Sequence, residues 1–547
     1  APSREPKVWN LSVFITLVTI SLSGATYGLE NALMSPLAAM PDFVRHFQGL
    51  NQDTGDYTFT ASHQSMIFSI PLIGTIIGAV VSSPLQNKFG RKWPLCCAYI
   101  ASIPATQVQL WAPNLASFIF GRFLNGLAYG CALSIGPLYL ADVVPVKIRG
   151  GAVASTNLLT ILANLLAAVV CFESERTYTG SARYKIPLAV QAGLPLLLLI
   201  PTPFLPESPI WFVQKGRMED ARRSLRRVRP VSEAEIEQEL EIMVRGDKER
   251  RHIAKETRFT EIFSRPHILR TMVAGSFFSL NQISGIILST TYATIFLTQV
   301  GVGDPFELTM FAYVAQLAAA SVAIWALERV GRRALALPGF AILTVLDLVA
   351  GGLAFRSSEP AYAKAIAGLA MIFNFVWTLC FYSISLLMPS ELPTQRLRNY
   401  TMSYAIGWGQ LTAVITTLAV PQIAAEDAGG LGAKAYLLFG GCMVVVTVAA
   451  YFLLPETRGR TFVEVDELYD MGVPAWRWDE CETSVDRQMQ MQMAYGCRRS
   501  VLVDGSDGGG GGEEAFQMGS GGQWRSHGGT ETSLGEKTDV EVGISSA

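Results

Sequence analysis

The feature that most constrains this chain is a series of long, almost uncharged apolar segments that recur along its first 454 residues. Each segment is long enough, alone or with its flanks, to cross a hydrocarbon core of roughly 30 Å as a helix of about 20 residues. Charged residues make up only 16% of the sequence, whereas a soluble protein usually carries about a quarter. The sequence therefore predicts an all-α membrane protein that crosses the bilayer many times.

Hydropathy predicts twelve transmembrane helices. They cover residues 8–33, 66–85, 95–111, 115–140, 152–171, 186–205, 271–297, 308–327, 335–355, 365–387, 402–423 and 437–454. Basic residues concentrate in alternate loops, as in Arg91–Lys92 and Arg332–Arg333, and the remaining loops are sparse or acidic. The positive-inside rule places the basic loops and both termini in the cytoplasm.

The longest loop divides the spans six and six and sets the predicted domains. These are an N-terminal six-helix bundle (1–205), a cytoplasmic helical linker (206–270), a C-terminal six-helix bundle (271–454), a short cytoplasmic segment (455–472) and a tail (473–547). The linker has a basic amphipathic helical pattern, typical of the inner membrane surface. The tail is rich in glycine and has no apolar periodicity, so we expect it to be disordered.

The two halves repeat one another. "NKFGRK" follows the second span and "ERVGRR" follows the eighth. Three further pairs are each separated by the same 249 positions: Asp142 with Glu391, Arg149 with Arg398, and Glu207 with Glu456. Repeated six-span halves are typical of secondary transporters, which bind their substrate near the middle of the membrane between the halves.

These motifs together resemble the sugar porter family of the major facilitator superfamily, over about residues 8–469. The resemblance rests on "GRFLNGLAYG", "GPLYLADVVPVKIRGG", "FLPESPIW", "NQISG", "PSELPTQRLR" and "LPETRGRTFVEVDEL". "ARYKIPLAVQAG" and "VPAWRW" are most similar to fungal porters of the α-glucoside and hexose type. The resemblance implies two bundles with alternating access, a sugar or polyol as cargo and, in many members, proton symport.

The chain departs from the family pattern at several positions. Asn87 replaces an acid of the first repeated loop, and Ile210 replaces an arginine. In the seventh span Ile287 replaces an asparagine and Thr291 a tyrosine, and Leu386 replaces an aromatic residue in the tenth. The last three departures alter the positions at which the family contacts sugar. The resemblance therefore identifies a transporter more firmly than it identifies glucose as the cargo.

Glu30 is an acid within the first apolar segment. A carboxylate in lipid costs several kcal/mol unless it is paired, neutralised or hydrated. A helix that ended earlier would leave Glu30 in outer water, but the resemblance places it at the proton-binding acid of symporting members, with Arg122 as its partner. Because a nearby cation favours the charged acid and isolation favours the neutral one, the pair can couple proton binding to movement. A static ion pair is the alternative.

Amide, hydroxyl and indole side chains in the spans are the predicted sugar contacts. Amides donate and accept hydrogen bonds at once, which suits sugar hydroxyls, although they also join helices. Asn157 and Asn164 share one helix face and match glutamines that hold sugar in the family. The full predicted set is Asn31, Asn157, Asn164, Asn281, Gln282, Ser284, Trp408 and Gln410. Trp408 has packing or interfacial anchoring as its alternative.

Charged residues that repeat at the cytoplasmic ends are predicted to form a gate. The resemblance implies salt bridges between the bundles that hold the outward-facing state closed on its inner side. The set is Asn87, Arg91, Asp142, Arg149, Glu207, Glu328, Arg332, Glu391, Arg398, Glu456 and Arg458. Because Asn87 stands in place of an acid, we expect the latch to be weaker in the first half.

The sequence contains no pattern typical of an enzyme. Five histidines are scattered without metal-ligand spacing, and the glycine run in the tail lacks the context of a phosphate-binding loop. We therefore predict no metal, no cofactor and no nucleic acid partner. The predicted function is import of a sugar across the plasma membrane, coupled to protons, by a monomer in the lipid bilayer. A facilitative porter for a polyol or other hydroxylated solute, and a transporter-like nutrient sensor, are the alternatives.

Overall fold

The structure is a computed structural model and is almost entirely helical. It describes residues 11–481 except 52–54, 56, 145–148, 229–231, 257, 301–302, 357–358, 395, 426, 459 and 461, together with Thr483, 516–518 and 524–526. Residues up to Cys481 form one compact unit. The predicted all-α fold is confirmed, because each of the twelve predicted spans coincides with helical structure. The start of the first predicted span, 8–10, lies outside the described residues.

Six long helices and one short one make up the first half. They are α1 (Leu11–Ala39), α2 (Pro41–Phe47), α3 (Ala61–Phe89), α4 (Lys92–Leu110), α5 (Leu115–Val143), α6 (Arg149–Thr177) and α7 (Ala182–Leu199), followed by a 3₁₀ turn at Thr202–Phe204. The short α2 is an outer loop helix rather than a span. Its Phe43 is fully buried against rings of neighbouring elements.

Close contacts at glycines hold the helices of this half together. A Cβ added to Gly126 or Gly130 on α5 would lie 2.2 Å from a carbonyl oxygen of α3. A Cβ on Gly78 of α3 would lie 2.1 Å from the Leu127 carbonyl oxygen. Small residues allow such backbone approach, which supplies van der Waals contact where lipid offers no hydrophobic driving force.

The linker folds into three helices and a 3₁₀ turn. They are α8 (Pro209–Gln214), α9 (Met218–Val228), α10 (Glu233–Glu256) and the turn Phe259–Phe263. A small apolar core that includes Val213, Leu225 and Ile236 joins the three helices. Arg222 bonds Glu237 and Glu219 across the exposed surface. The linker is helical, as the sequence predicts, and its charges lie on the solvent side.

The second half contains two interrupted spans. The seventh span comprises α11 (Ile268–Ile283), α12 (Ile286–Ser289) and α13 (Ala293–Val300), with a break at Gly285. The tenth comprises α16 (Pro360–Val376), a π-helical turn at Trp377–Tyr382 and α17 (Ser383–Glu391). The continuous spans are α14 (Pro305–Arg329), α15 (Arg332–Leu353), α18 (Arg398–Ala424) and α19 (Ala435–Leu453), with 3₁₀ turns at Ala354–Arg356 and Gly432–Lys434.

Nine helical segments of the described chain are both long and apolar enough to span a membrane. The remaining predicted spans correspond to α4, the broken seventh span and α18. The first and last of these carry polar side chains such as Gln107, Gln109 and Gln410, and the seventh is divided into short helices. Polar and interrupted helices fail a hydropathy criterion although they belong to the same bundle.

The folded unit extends beyond residue 473, where the sequence predicted the tail to begin. After α20 (Phe462–Asp470) a 3₁₀ turn covers Ala475–Glu480, and Trp478 is 1% exposed in a cluster with Val465 and Leu468. The aromatic content of "VPAWRW" explains the difference, because these rings bury apolar surface. Beyond this unit, β1 (Phe516–Met518) pairs antiparallel with β2 (Trp524–Ser526). The other residues of the predicted disordered tail lie outside the described ones, apart from Thr483.

A set of contacts between the halves lies at the end of the bundle away from the basic loops, which we call the outer end. The Thr294 amide donates to Ser35 Oγ at 3.0 Å, and the Ala61 amide donates to Asp427 Oδ2 at 2.8 Å. The rings of Phe68 and Tyr292 lie 4.5 Å apart. We call this set of contacts the outer gate. It is closed in this structure.

Candidate functional site

Glu30 lies within a continuous helix. Helix α1 runs through Pro36 to Ala39, and Glu30 is 4% exposed. The helix therefore does not end before Glu30, and the acid is not in outer water. A buried acid inside a span needs a partner, a proton or local water.

Arg122 is the predicted partner and lies on α5, which packs against α1. It is 3% exposed. The two charged groups interact electrostatically, yet among the described residues they form no salt bridge within 4.0 Å. Glu30 Oε1 and Arg122 Nε also lack a hydrogen-bond partner within that part of the chain. Glu30 and Arg122 interact but do not form a salt bridge, so the carboxyl group of Glu30 is available to a proton in this conformation.

Tyr27 links this acid to the second half. It lies one turn before Glu30 on α1 and interacts electrostatically with Glu30, Arg122 and Tyr382 of the tenth span. Tyr382 stacks on Trp377, with centroids 5.3 Å apart and planes inclined by 28°. The indole Nε1 of Trp377 is buried and has no hydrogen-bond partner among the described residues. An aromatic face with an unused donor is suited to a sugar ring.

Trp377 is not among the residues predicted from the sequence. The position at which the family usually has an aromatic residue in the tenth span is occupied by Leu386, and Trp377 lies outside the family motifs. The π-helical turn that aims Trp377 leaves no distinct sequence signal, although π turns are frequent at functional sites. A tryptophan inside an apolar span was the one available hint.

The amides of the fifth span differ in their surroundings. The terminal amide of Asn164 lies 2.9 Å from the Gly28 carbonyl oxygen and 3.2 Å from that of Thr160, with its nitrogen oriented to donate to both. This joins α6 to α1 two residues before Glu30. Asn157 is half-buried on the same face. Asn164 therefore joins two helices, which was the alternative to sugar binding. Asn157 is the better candidate for contact with a ligand.

The "NQISG" segment lies at the break in the seventh span. Gly285 adopts φ +81°, a left-handed conformation that glycine tolerates and that interrupts the helix. Ser284 Oγ donates to the Asn281 carbonyl oxygen at 2.8 Å. Asn281 Oδ1 is buried without a hydrogen-bond partner among the described residues, and Gln282 is half-buried. This break places polar groups inside the span, as broken helices of transporters do.

The weaker candidates have little support from packing. Trp408 is 46% exposed on α18, and no ring of the described chain lies against it. Gln410 and Asn31 are half-buried. Among the described residues, none of these three is hydrogen-bonded to another predicted binding residue, so their assignment remains a prediction.

The repeated charged residues of the first half bind one another and neighbouring backbone amides within that half. Arg91 Nε donates to Asp142 Oδ2 at 3.1 Å, and Ser208 Oγ donates to the same oxygen at 2.7 Å. Glu207 accepts from the backbone amides of Arg91, Lys92 and Ser208 at 2.8, 3.2 and 2.9 Å. Burial raises the pKa of Glu207, and these backbone donors partly oppose that rise.

The second half repeats this arrangement group by group. Arg332 binds Glu391 with two donors, Nη2 at 2.9 Å and Nε at 3.3 Å. Thr457 Oγ1 donates to Glu391, as Ser208 does to Asp142. Glu456 accepts from the amides of Arg332 and Arg333 at 2.9 and 2.8 Å. We call each arrangement a loop lock.

The loop locks give the predicted gate residues a role within each half. Ion pairs of this set between the two halves are absent from the described part of the chain in this conformation. The predicted cross-bundle latch belongs to the outward-facing state, so it remains a prediction. Asn87 is exposed and its carbonyl accepts from Trp211, Arg398 begins α18, and Arg458 is exposed. The side chains of Arg149 and Glu328 lie outside the described residues.

Comparison with known proteins agrees with this architecture. The family model described as "Sugar (and other) transporter" matches residues 16–469. Maltose permease MAL61 of Saccharomyces cerevisiae is 30% identical over 489 residues, which cover 87% of this chain and 77% of the permease. Alpha-glucosides permease MPH3 of the same species is 29% identical over 487 residues, which cover 87% and 79%.

Solved structures give the same fold. The inward open conformation of the xylose transporter XylE from E. coli has a TM-score of 0.69 at 20% identity, covering 83% of this chain and 99% of XylE. Its partially occluded inward open conformation has a TM-score of 0.67, covering 83% and 100%. The twelve-helix bundle is therefore the major facilitator fold. Since the family model covers most of the chain and the motifs occupy matching helices, this protein is a membrane-embedded member of the sugar transporter family.

Proposed function

We propose that this protein imports an α-glucoside sugar by alternating access, coupled to protons, across the plasma membrane with both termini in the cytoplasm. The substrate class is supported by the permeases of yeast that it resembles, whose names give α-glucosides and maltose. Asn157 and Asn164 have shorter side chains than the glutamines that the family has at these positions. They leave more room in the fifth span, which suits a disaccharide. The predicted domains at 1–205, 206–270 and 271–454 are the two moving bundles and their linker.

The observation that carries proton coupling is the open Glu30–Arg122 pair. A carboxyl that is buried without a salt bridge is most stable as the neutral acid. Movement of Arg122 toward Glu30 would favour the charged form and release the proton. Tyr27 and Trp377 connect this pair to the face on which we expect the sugar to bind. Proton and sugar binding are then coupled through a few side chains.

Uptake measurements in transporter-deficient cells test this proposal. A panel of maltose, glucose, xylose and sorbitol would be offered to cells that express the wild type, Glu30→Gln or Glu359→Gln. Glu359 is an exposed acid at the outer end of α16, so its variant is a matched control. We expect maltose uptake that a proton uncoupler abolishes. Glu30→Gln should lose accumulation against a gradient, and Glu359→Gln should retain it.

Each alternative has its own outcome in the same assay. Uptake that neither the uncoupler nor Glu30→Gln affects would identify a facilitator. Selective uptake of sorbitol would identify a polyol porter. If no solute enters while the cells still respond to sugar through this protein, the nutrient sensor is correct and the transport proposal is refuted.

A further inference from the structure

Asp347 is a second buried acid that neither the motifs nor the proposed mechanism uses. It lies on α15, the ninth span, and is 1% exposed. Fifteen residues separate it from Arg332 at the cytoplasmic end, which corresponds to about 22 Å along the helix. Within the described chain neither carboxyl oxygen has a hydrogen-bond partner, and no Lys, Arg or His lies within salt-bridge distance.

The carboxyl group packs directly behind the break in the seventh span. A Cβ placed on Gly285 would lie 3.4 Å from Asp347 Oδ1 and 3.5 Å from Oδ2. On the other side, a Cβ placed on Gly440 of α19 would lie 3.2 Å from Asp347 Cβ. The same added Cβ at Gly285 would lie 3.2 Å from Phe439 Cβ of α19. Asp347 therefore packs next to two glycines, with its carboxyl group at contact distance from the break and its Cβ tightly packed against Gly440.

The titratable and charged groups around Asp347 offer no counter-charge. On α19 the facing group is Tyr436, which interacts electrostatically with Asp347 and bonds Ser289 at 2.9 Å. The break itself, at residues 281–289, contains no titratable side chain. At the outer turns, Lys434 lies over the ring of Phe355. On the tenth span, Cys380 packs against Gly339, two turns below Asp347.

These surroundings fit a proton and no larger cation. Hard metal ions need about six oxygen ligands, and the described residues contain no group of three His, Cys, Asp or Glu side chains that could bind one. An ionised carboxylate at this depth without a partner costs several kcal/mol. The neutral acid is the form that this packing accommodates.

The break connects Asp347 to the outer gate. Helix α12 follows Gly285, and the turn after it leads to α13. In that turn Tyr292 donates to the Thr417 carbonyl oxygen at 2.9 Å and packs on Phe68. Gly285 has a left-handed backbone conformation that glycine tolerates, so it is the residue about which α12 and α13 would pivot relative to α11 if the outer gate opened. Such a movement would uncover Asp347 and admit water.

We propose that Asp347 is a second proton-binding site, which holds its proton while the outer part of the seventh span covers it and exchanges it when that part moves outward. This inference rests on the proton coupling proposed above and extends it to the second half of the transporter. The competing explanation is a static neutral acid that serves only as packing.

Infrared difference spectroscopy of the full chain in lipid nanodiscs tests the site without any sugar. A protonated carboxyl gives a resolved C=O stretching band. We expect the wild type to show such bands near neutral pH, one of which Asp347→Asn removes and Glu359→Gln leaves in place. Raising the pH should abolish the Asp347 band reversibly. A spectrum that Asp347→Asn does not change, or a band that persists until the protein unfolds, would overturn the proposal.

A second arm tests the connection to the outer gate. Tyr292→Ala removes the ring contact with Phe68 and the bond to Thr417, so it should weaken the Asp347 band at constant pH. Tyr184→Ala truncates a similarly buried tyrosine in the first half and should leave the band unchanged. Equal bands in the Tyr292→Ala protein and the wild type would overturn the linkage. Because no uptake is measured, the result is independent of whether Glu30→Gln abolishes accumulation.

Discussion

Replacing Gly90 by alanine should disrupt the first loop lock. Gly90 has φ +90° and ψ −165°, a region that is essentially restricted to glycine, and a Cβ there would lie 2.4 Å from Glu207 Oε2. The strained backbone costs about 1–3 kcal/mol. Displacing Glu207 weakens at least one of its charged hydrogen bonds, which costs about 1.5–3 kcal/mol. Gly90→Ala should therefore lower the free energy of unfolding by about 2.5–6 kcal/mol.

A double-mutant cycle separates the two contributions. In a Glu207→Ala background the added methyl group meets no carboxylate, so Gly90→Ala should cost only the strain of about 1–3 kcal/mol. Gly216→Ala serves as a reference, because Gly216 has φ +74° and open space around its Cβ position. A left-handed residue without a clash should cost about 1–2 kcal/mol.

The free energy of unfolding can be measured by titration with sodium dodecyl sulfate in lipid-containing micelles. Buried thiols, among them Cys96, Cys131 and Cys171, become reactive as the chain unfolds and report the transition. The reasoning predicts a coupling energy of about 1.5–3 kcal/mol between positions 90 and 207. If Gly90→Ala costs the same with and without Glu207, the loop lock does not stabilise this half in the way described.

Three further predictions concern single contacts. Asn164→Ala should lower the free energy of unfolding by about 1 kcal/mol, because Asn164 loses its hydrogen bonds to α1. Asn157→Ala should leave stability unchanged and weaken maltose uptake. The reverse pattern would exchange their roles. Arg332→Lys should lower the free energy of unfolding by about 1–2 kcal/mol, because lysine cannot make the two-donor contact with Glu391. The same change at the exposed Arg396 should lower it by less than about 0.5 kcal/mol. Equal losses in the unfolding titration would contradict this. Asn87→Asp should shift the population toward the outward-facing state, and an unchanged cysteine-accessibility pattern would refute the weakened latch.

The fold could be predicted from the sequence because membrane spans and internal repeats leave strong local signals. Hydropathy, basic loops and repeated charges were enough to predict twelve helices in two halves. The glycine of "NQISG" permits local unwinding of the seventh span, and the break lies at that glycine. Hydropathy could not predict the π turn at Trp377, because that turn packs against α14 and α15 and a linear pattern does not contain such contacts.

The candidate site was less predictable for the same reason. Glu30 could be selected because a charge in an apolar span is conspicuous, and the resemblance to the family implied Arg122 as its partner; both side chains are buried. Trp377 and Tyr27 were missed because aromatic residues are common in spans and only their mutual position distinguishes these two. Asp347, like Glu30, is a single acid in an apolar segment. It lies outside the family motifs, so the motifs did not indicate it.

The repeated and the unrepeated residues divide the work of this transporter. Counted from the matching arginines Arg91 and Arg332, Asp347 corresponds to Thr106. Counted from the matching acids Asp142 and Glu391, Arg122 corresponds to Met371. The charges inside the membrane thus break the repeat, whereas those at the cytoplasmic ends preserve it. In the mechanism proposed above, two similar loop locks would let each half move as a rigid body, and charges that differ between the halves would make the two end states respond differently to protons. This division predicts that exchanging loop-lock residues between the halves changes stability, while moving a membrane acid changes coupling.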